Sequence, residues 1–296
     1  MQTRLSSAKR EVIIGDDQPT ALIGERINPT GKKKLAEALK TGNLEIVGQE
    51  ALAQVQAGAD ILDVNVGAFG VDEVALLPRV VRAVMDTVDV PLCLDSSNPD
   101  ALEAALKVYK GKPLVNSTTG EEQSLKRVLP LLKKYGAAVI GLVQDDEGIP
   151  KDAERRVQIA NKIVKKVEAA GIPREDLVID CLAFAVGAEP GSGVAVIEAV
   201  RRIKAELGVN MTMGASNVSF GLPDRELLNN AFVVMAVAAG ATCFIVDVAK
   251  VRPTILAADL VLGRDKRARR YIEAYRQRPK PDETRRSESH GGNDDK

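Results

Sequence analysis

The sequence predicts a (β/α)8 barrel, on three observations. Eight short β-rich runs recur, segments of helical periodicity separate them, and the rhythm occupies roughly 240 residues, the size of one such barrel. Strand and helix alternating in this way argue a parallel sheet, because parallel neighbours need a crossover. An open doubly wound sheet is the rival arrangement of the same elements.

The elements follow in order. Ile13-Ile14 and Leu22-Ile23 flank Gly15-Asp16-Asp17-Gln18-Pro19, which predicts a hairpin before or leading into the first strand, placed to plug the barrel's bottom. The first strand, Ala21–Ile27, ends Gly24-Glu25-Arg26-Ile27-Asn28. The second, Ile61–Gly67, carries Asp63-Val64-Asn65, and the helical pattern Val71–Thr87 follows it. The third, Pro91–Asp95, runs into Ser96, Ser97, Asn98 and Asp100, side chains suited to capping the helix Asp100–Tyr109. The fourth, Pro113–Ser117, ends Val115-Asn116-Ser117-Thr118 and precedes the helix Ser124–Tyr135. The fifth, Ala138–Gln144, precedes the helix Asp152–Ala170. The sixth, Leu177–Ala183, contains Ile179-Asp180, and a turn at Gly191-Ser192-Gly193 leads to the helix Val194–Leu207. The seventh, Met211–Asn217, ends in Ser216-Asn217-Val218-Ser219 before the helix Arg225–Ala239. The eighth, Thr242–Val248, carries Val246-Asp247, and a last helix covers about Pro253–Leu262. Residues 1–263 thus form the barrel with its hairpin, and 264–296 an extension. From Arg278 that extension is rich in Pro, Arg, Ser and Gly and is expected to be disordered and flexible. It holds 11 basic and 7 acidic residues, leaving the barrel mildly acidic, and reads as a solvated tail.

Composition narrows the function. Lys+Arg and Asp+Glu both total 41, so the chain does not read as a nucleic-acid or anionic-membrane binder. Met1–Val12 has no apolar core of a secretory signal. The longest apolar stretch, Ala231–Val246, is broken by Gly240 and Thr242 and reads as a buried helix running into a buried strand. Cys93, Cys181 and Cys243 each sit in an apolar run without metal spacing, which fits buried strand residues and a reducing cytoplasm. The single histidine, His290, lies in the polar tail, so a histidine-based triad or metal site in the barrel is excluded and no bound metal is expected.

Catalysis in such barrels takes place at the carboxyl ends of the strands. Here those ends carry carboxylates and carboxamides with almost no Lys, Arg or His. Unpaired buried carboxylates are costly, so their repetition at one rim needs a reason. Helix capping accounts for single positions, and Asp63 and Asp247 suit structural bonds to neighbouring loops. The ring as a whole matches a flat heterocycle rich in N–H donors, such as a 2-amino-4-oxo pterin, whose amino group and ring N–H can fork onto one carboxylate.

Carried by Ile23-Gly24-Glu25-Arg26-Ile27-Asn28, Leu62-Asp63-Val64-Asn65-Val66-Gly67, Leu92-Cys93-Leu94-Asp95-Ser96, Val115-Asn116-Ser117-Thr118, Ile179-Asp180 and Ser216-Asn217-Val218-Ser219, the chain resembles the pterin-binding methyltransferases over Ile23–Gly263. These include methyltetrahydrofolate:corrinoid methyltransferases and the folate module of cobalamin-dependent methionine synthase, with dihydropteroate synthase more distant on the same barrel. The resemblance implies that Asp95, Asn116 and Asp180 hold the pterin's donor face. It implies that Asn217 reaches the reacting N5, that Arg225 lies near the folate, and that Glu25 and Asn28 join the site. Phe220 stands where some members carry glutamine. Strand seven ends in Ser-Asn-Val-Ser, without the lysine of dihydropteroate synthases, which favours methyl transfer.

N5 of methyltetrahydrofolate is a poor leaving group and needs positive charge or strong hydrogen bonding in the transition state. The expected catalytic groups are Asn217, donating to N5, and Asp95, tuning the network, with the proton arriving from solvent. The chain has no Asp-x-His-x-x-Gly corrinoid signature, so a separate corrinoid protein is expected to bring cobalamin to the open rim. The expected substrate is tetrahydrofolate or methyltetrahydrofolate, and the resemblance implies a homodimer. Lys32-Lys33-Lys34 reads as a solvated helix start rather than a phosphate clamp, with the folate's glutamate tail as its other use. Dihydropteroate synthesis and a pterin-binding barrel without turnover stand as alternatives.

Overall fold

The computed structural model describes residues 1–277. Strands β1 (Gln2–Ser6) and β2 (Glu11–Gly15) form an antiparallel hairpin. Eight parallel strands follow: β3 (Ala21–Ile27), β4 (Ile61–Asn65), β5 (Leu92–Asp95), β6 (Leu114–Thr119), β7 (Ala138–Leu142), β8 (Leu177–Asp180), β9 (Asn210–Thr212) and β10 (Cys243–Val246). The helices are α1 (Lys33–Thr41), α2 (Glu45–Gln56), α3 (Glu73–Thr87), α4 (Pro99–Val108), α5 (Glu122–Tyr135), α6 (Ala153–Ala169), α7 (Ser192–Leu207), α8 (Arg225–Ala239), α9 (Val248–Val261) and α10 (Arg269–Arg276).

The strands lie in the order β10-β3-β4-β5-β6-β7-β8-β9. The ends of that order meet: the N–H groups of Thr242 and Ile245 donate to the carbonyls of Met211 and Met213, each at 3.0 Å. The sheet is therefore a barrel, and the doubly wound alternative is excluded. Helix starts are set locally. The Asp72 carboxylate accepts from the N–H groups of Val74 and Ala75 at α3, the Asn98 amide oxygen accepts from Asp100 at α4, and Asp152 accepts from Arg155 at α6.

Alternation along each strand sorts the side chains. Leu62, Val64, Leu92, Leu94, Val115, Val139, Leu177 and Ile179 join the buried layer shared with the helices. Ala21, Ile23, Ile61, Cys93, Leu114, Ala138, Ile140, Val178 and Cys243 form a second core inside the barrel. Leu5, Val12 and Ile14 of the hairpin belong to that inner core, so the hairpin plugs the bottom. Burying such a side chain is worth roughly 2 kcal/mol. Asn210 on β9 pins the plug, its Nδ2 donating to Thr3 Oγ1 and to the Ile14 carbonyl, both at 2.9 Å.

Most element ends shift by a few residues, and four differences bear on the architecture. The hairpin pairs Gln2–Ser6 with Glu11–Gly15, not Ile13-Ile14 with Leu22-Ile23. Leu22-Ile23 lie in β3, whose two edges are already taken by β10 and β4, so no edge remains for an antiparallel partner. Gly15–Pro19 instead turns the chain from plug to barrel. The seventh run is strand only over Asn210–Thr212, and Ala215–Ser219 winds into a 3₁₀ turn. The last barrel helix starts at Val248 rather than Pro253. The first crossover holds two helices, α1 and α2. The tail expected to be disordered from Arg278, with His290, lies outside the described residues. Among the described residues no helix is long and apolar enough to cross a membrane.

Candidate active site

The inner core changes character along its axis. Inward positions near the plug are apolar. The next inward positions toward the carboxyl ends are Glu25, Asp63 and Asn65, Asp95, Asn116, Asp180 and Asp247, each two residues beyond an inner position or continuing that alternation. The polar ring anticipated from the sequence is thus one tier, at the mouth opposite the plug.

Strand register builds its densest part. Asn65 pairs with Asp95 and Asp95 with Asn116 across β4, β5 and β6. Asn65 Nδ2 donates to Asp95 Oδ2 at 2.8 Å, and Asn116 Nδ2 donates to Asp63 Oδ1 at 3.3 Å. Asp63 is 3% exposed. Burial, reinforced by the charge of Asp95, pushes the Asp63 carboxyl well above the usual carboxylate range. Asp95 is also raised by burial, but hydrogen bonds from Asn65 and Asp63 hold it back. Both carboxyls are thus pushed upward, Asp63 more strongly than Asp95.

Asp180, at the end of β8, is a second buried acceptor. Its Oδ1 receives the Leu182 N–H at 2.7 Å. Burial lifts its pKa to about 6, against the pull of the Leu182 and Gly214 amides and the Arg156 guanidinium. On the opposite arc, burial and the charge of Asp247 raise Glu25, opposed by Lys32 and Arg26 and by a hydrogen bond with Ser216. Glu25, Arg26, Ser216 and Asp247 border a cavity of about 270 Å³ that Arg225 and Lys250 complete. A second hollow of about 360 Å³ opens between the ends of β5, β6 and β7, lined by Ser96, Ser117, Leu142 and Gln144 among others.

Asn217 stands exposed on the 3₁₀ turn above the mouth. Gly214 makes its approach possible, since a Cβ there would lie 3.1 Å from Asn217 Nδ2. Arg225 holds this turn. Its Nε donates to Ser219 Oγ at 3.0 Å, a terminal nitrogen donates to the Ser216 carbonyl at 2.8 Å, and its guanidinium lies 5.9 Å from the centre of the Phe220 ring. Asn28 lies in the loop after β3, where its Oδ1 accepts the Thr30 N–H at 2.9 Å. Lys32 Nζ donates to the Arg26 carbonyl at 2.6 Å, while Lys33 and Lys34 are exposed at the start of α1.

Several contributors escaped the sequence reading. Gln54 on α2 is buried, and its Oε1 accepts the Arg26 N–H at 2.8 Å. Gly24 leaves it room, because a Cβ there would come within 2.4 Å of that oxygen. Glu73 on α3 accepts from Ser96 Oγ at 2.6 Å. Arg156 on α6 is wholly buried behind Asp180. A glutamine and an arginine on apolar helix faces were the available signals, and neither reports which strand end it meets.

Asp95, Asn116 and Asp180 stand at the ends of β5, β6 and β8 as carboxylate and amide groups, with Asn217 on the turn after β9. The pterin binding enzyme family matches residues 24–247. Methylcorrinoid:tetrahydrofolate methyltransferase of Eubacterium limosum is 31% identical over 86% of this chain and 96% of that protein. Methionine synthase of Mycobacterium tuberculosis is 31% identical over 84% of this chain, which spans only 22% of that larger protein. Among solved structures, dihydropteroate synthase of Yersinia pestis with a pterine-sulfa conjugate superposes with a TM-score of 0.67 at 17% identity, over 89% of this chain and all of that one. The Xanthomonas albilineans dihydropteroate synthase in complex with 7,8-dihydropteroate gives 0.66 at 21%, over 88% and 98%. At such identities these two speak for the barrel alone, whereas the family match and the sequence relatives speak for the lineage. The chain belongs to the pterin-binding enzymes, and within them to the methyltransferases.

Proposed function

We propose that the chain moves a methyl group between N5 of methyltetrahydrofolate and the cobalt of a corrinoid carried by a separate protein. The observation that carries this reading is the single polar tier at the unplugged mouth, with Asp95, Asn116 and Asp180 inside and Asn217 above. The Eubacterium limosum relative, matched over nearly its whole length, supports the same reaction type.

In this reading Asp180 and Asn116 accept from the amino group and N–H of the pterin and fix its plane. Asn65 and Asp63 hold Asp95 and Asn116 in place through the Asn65–Asp95 and Asn116–Asp63 hydrogen bonds. Asn217 donates to N5 and stabilises the charge that builds there as the methyl group departs; one such donor is worth on the order of 10²-fold in rate. The corrinoid supplies the nucleophile, or in the reverse direction the methyl donor, from the partner docked over the mouth. Arg225 acts on Asn217 through the Ser216–Ser219 turn that it holds, and its guanidinium borders the cavity where the rest of the folate would leave the cup. A homodimer is part of this proposal, and sedimentation measures it.

A tracer assay tests the function. Methyl label supplied on methyltetrahydrofolate should appear on added cob(I)alamin, and label on methylcobalamin should appear on tetrahydrofolate. Condensation of p-aminobenzoate with the pterin pyrophosphate should not occur. Folate binding without methyl exchange, with free cobalamin and with corrinoid proteins alike, would leave a binding barrel and overturn the proposal.

A further inference from the structure

Arg156 is a large charged side chain with no exposed surface. Among the described residues no carboxylate lies within salt-bridge distance of it, and its Nε and one terminal nitrogen have no hydrogen-bond partner. Burying a guanidinium this way is costly, so its remaining contacts must matter to the fold or to the site. Those contacts are specific. The other terminal nitrogen donates to the Cys181 carbonyl and, at 2.8 Å, to the Leu182 carbonyl, and the guanidinium lies 5.7 Å from the Phe184 ring centre.

These carbonyls are the first two past the end of β8. The last ladder bond there runs from the Val143 N–H to the Asp180 carbonyl at 3.0 Å. Beyond it the chain turns, with Leu182 at φ 56°, a left-handed conformation that any residue bearing a Cβ resists. In that turn the Leu182 N–H swings back onto Asp180 Oδ1 at 2.7 Å. A linked chain results: guanidinium, two carbonyls, one turned-back amide, one carboxylate.

We propose that Arg156 is a positioning residue for folate binding, holding the turn after β8 so that Asp180 presents a fixed carboxylate to the pterin. This rests on the reading of Asp180 as a folate ligand. The groups facing Asp180 are the Leu182 and Gly214 amides, Arg156 from α6, and the thiols of Cys181 and Cys243; Asp152 adds its field at Arg156. Of these, Arg156 is the cation, so removing it also makes Asp180 harder to ionise.

The test compares R156M, R156K, D180N and the R156M/D180N pair by calorimetric tetrahydrofolate binding from pH 5.5 to 8, with thermal melts as a folding control. R156M should weaken binding about tenfold at pH 6.5, as expected for a misplaced contact group, and less at pH 8. Its binding midpoint in pH should move upward. R156K, which keeps the charge, should recover part of the loss, and it carries the test should R156M not fold. The double variant should bind no more weakly than D180N alone, because both changes act through one carboxylate. Equal losses at all pH values, or losses that add in the double variant, would reduce Arg156 to a structural residue. If D180N itself binds like the wild type, the folate reading of Asp180 fails instead. Carboxyl carbon NMR of Asp180 in the unliganded protein then decides the tether separately: an unmoved titration in R156M would overturn it.

Discussion

Asp180→Asn should make the protein more stable and less able to bind folate. Folding lifts the Asp180 pKa from an ordinary 3.8 to about 6, chiefly through burial. At ~1.4 kcal/mol per pH unit, that costs the ionised folded form about 3 kcal/mol. The sign is that of a raised carboxyl: its contribution to stability is fully present below pH 3.8 and is lost as pH climbs through 6. Asparagine carries no charge to bury and keeps one acceptor for the Leu182 N–H. At pH 8 the variant should gain about 1–3 kcal/mol, or a melting shift of roughly 2–6 °C. Binding moves the other way. The carboxylate meets its pterin donor with a charged oxygen beside the one that takes Leu182, whereas an amide offers one acceptor and turns an NH2 toward the donor. Losing charge-assisted bonds of that kind costs about 3 kcal/mol, a Kd on the order of 10²-fold higher. Thermal melts from pH 4 to 8 and calorimetry with tetrahydrofolate read both. A variant that is destabilised at pH 8, or that binds folate unimpaired, would refute the reasoning.

Asn217→Ala should reduce methyl transfer by on the order of 10²-fold while folding and folate affinity change little, measured by single-turnover kinetics. Gly214→Ala should place a methyl group 3.1 Å from the Asn217 amide and shift it, lowering the rate about tenfold without a matching loss of stability. An unchanged rate would mean the turn tolerates the displacement. Leu5→Ala should leave a hollow between plug and barrel and cost about 3 kcal/mol in denaturant unfolding, with the active-site tier intact and folate affinity retained.

The sequence carried the barrel and most of its mouth by itself. Strand and helix periods are local properties, so eight alternating units identified the fold, and β3 and α8 coincide with the runs read from the chain. The rim residues were legible too, because inward polar positions recur at the ends of otherwise apolar strands. Asn28, read from its position as a site residue, lies in the loop after β3, where its Oδ1 accepts the Thr30 N–H. No pattern along the chain states which neighbour an amide side chain will meet.

What the tertiary structure decided is contact between elements distant in sequence. The hairpin's true partners depend on which strand edges closure leaves open. Gln54 reaches β3 from α2 because Gly24 gives it space, and Glu73 on α3 meets Ser96 after β5. The upward push on Asp63 and Asp95 exists only once burial and register bring two carboxyls together, and burial, opposed by two amides and Arg156, moves Asp180 to about 6. Periodicity names the face a side chain will occupy; only packing sets its dielectric surroundings and its partner, and those two decide its charge.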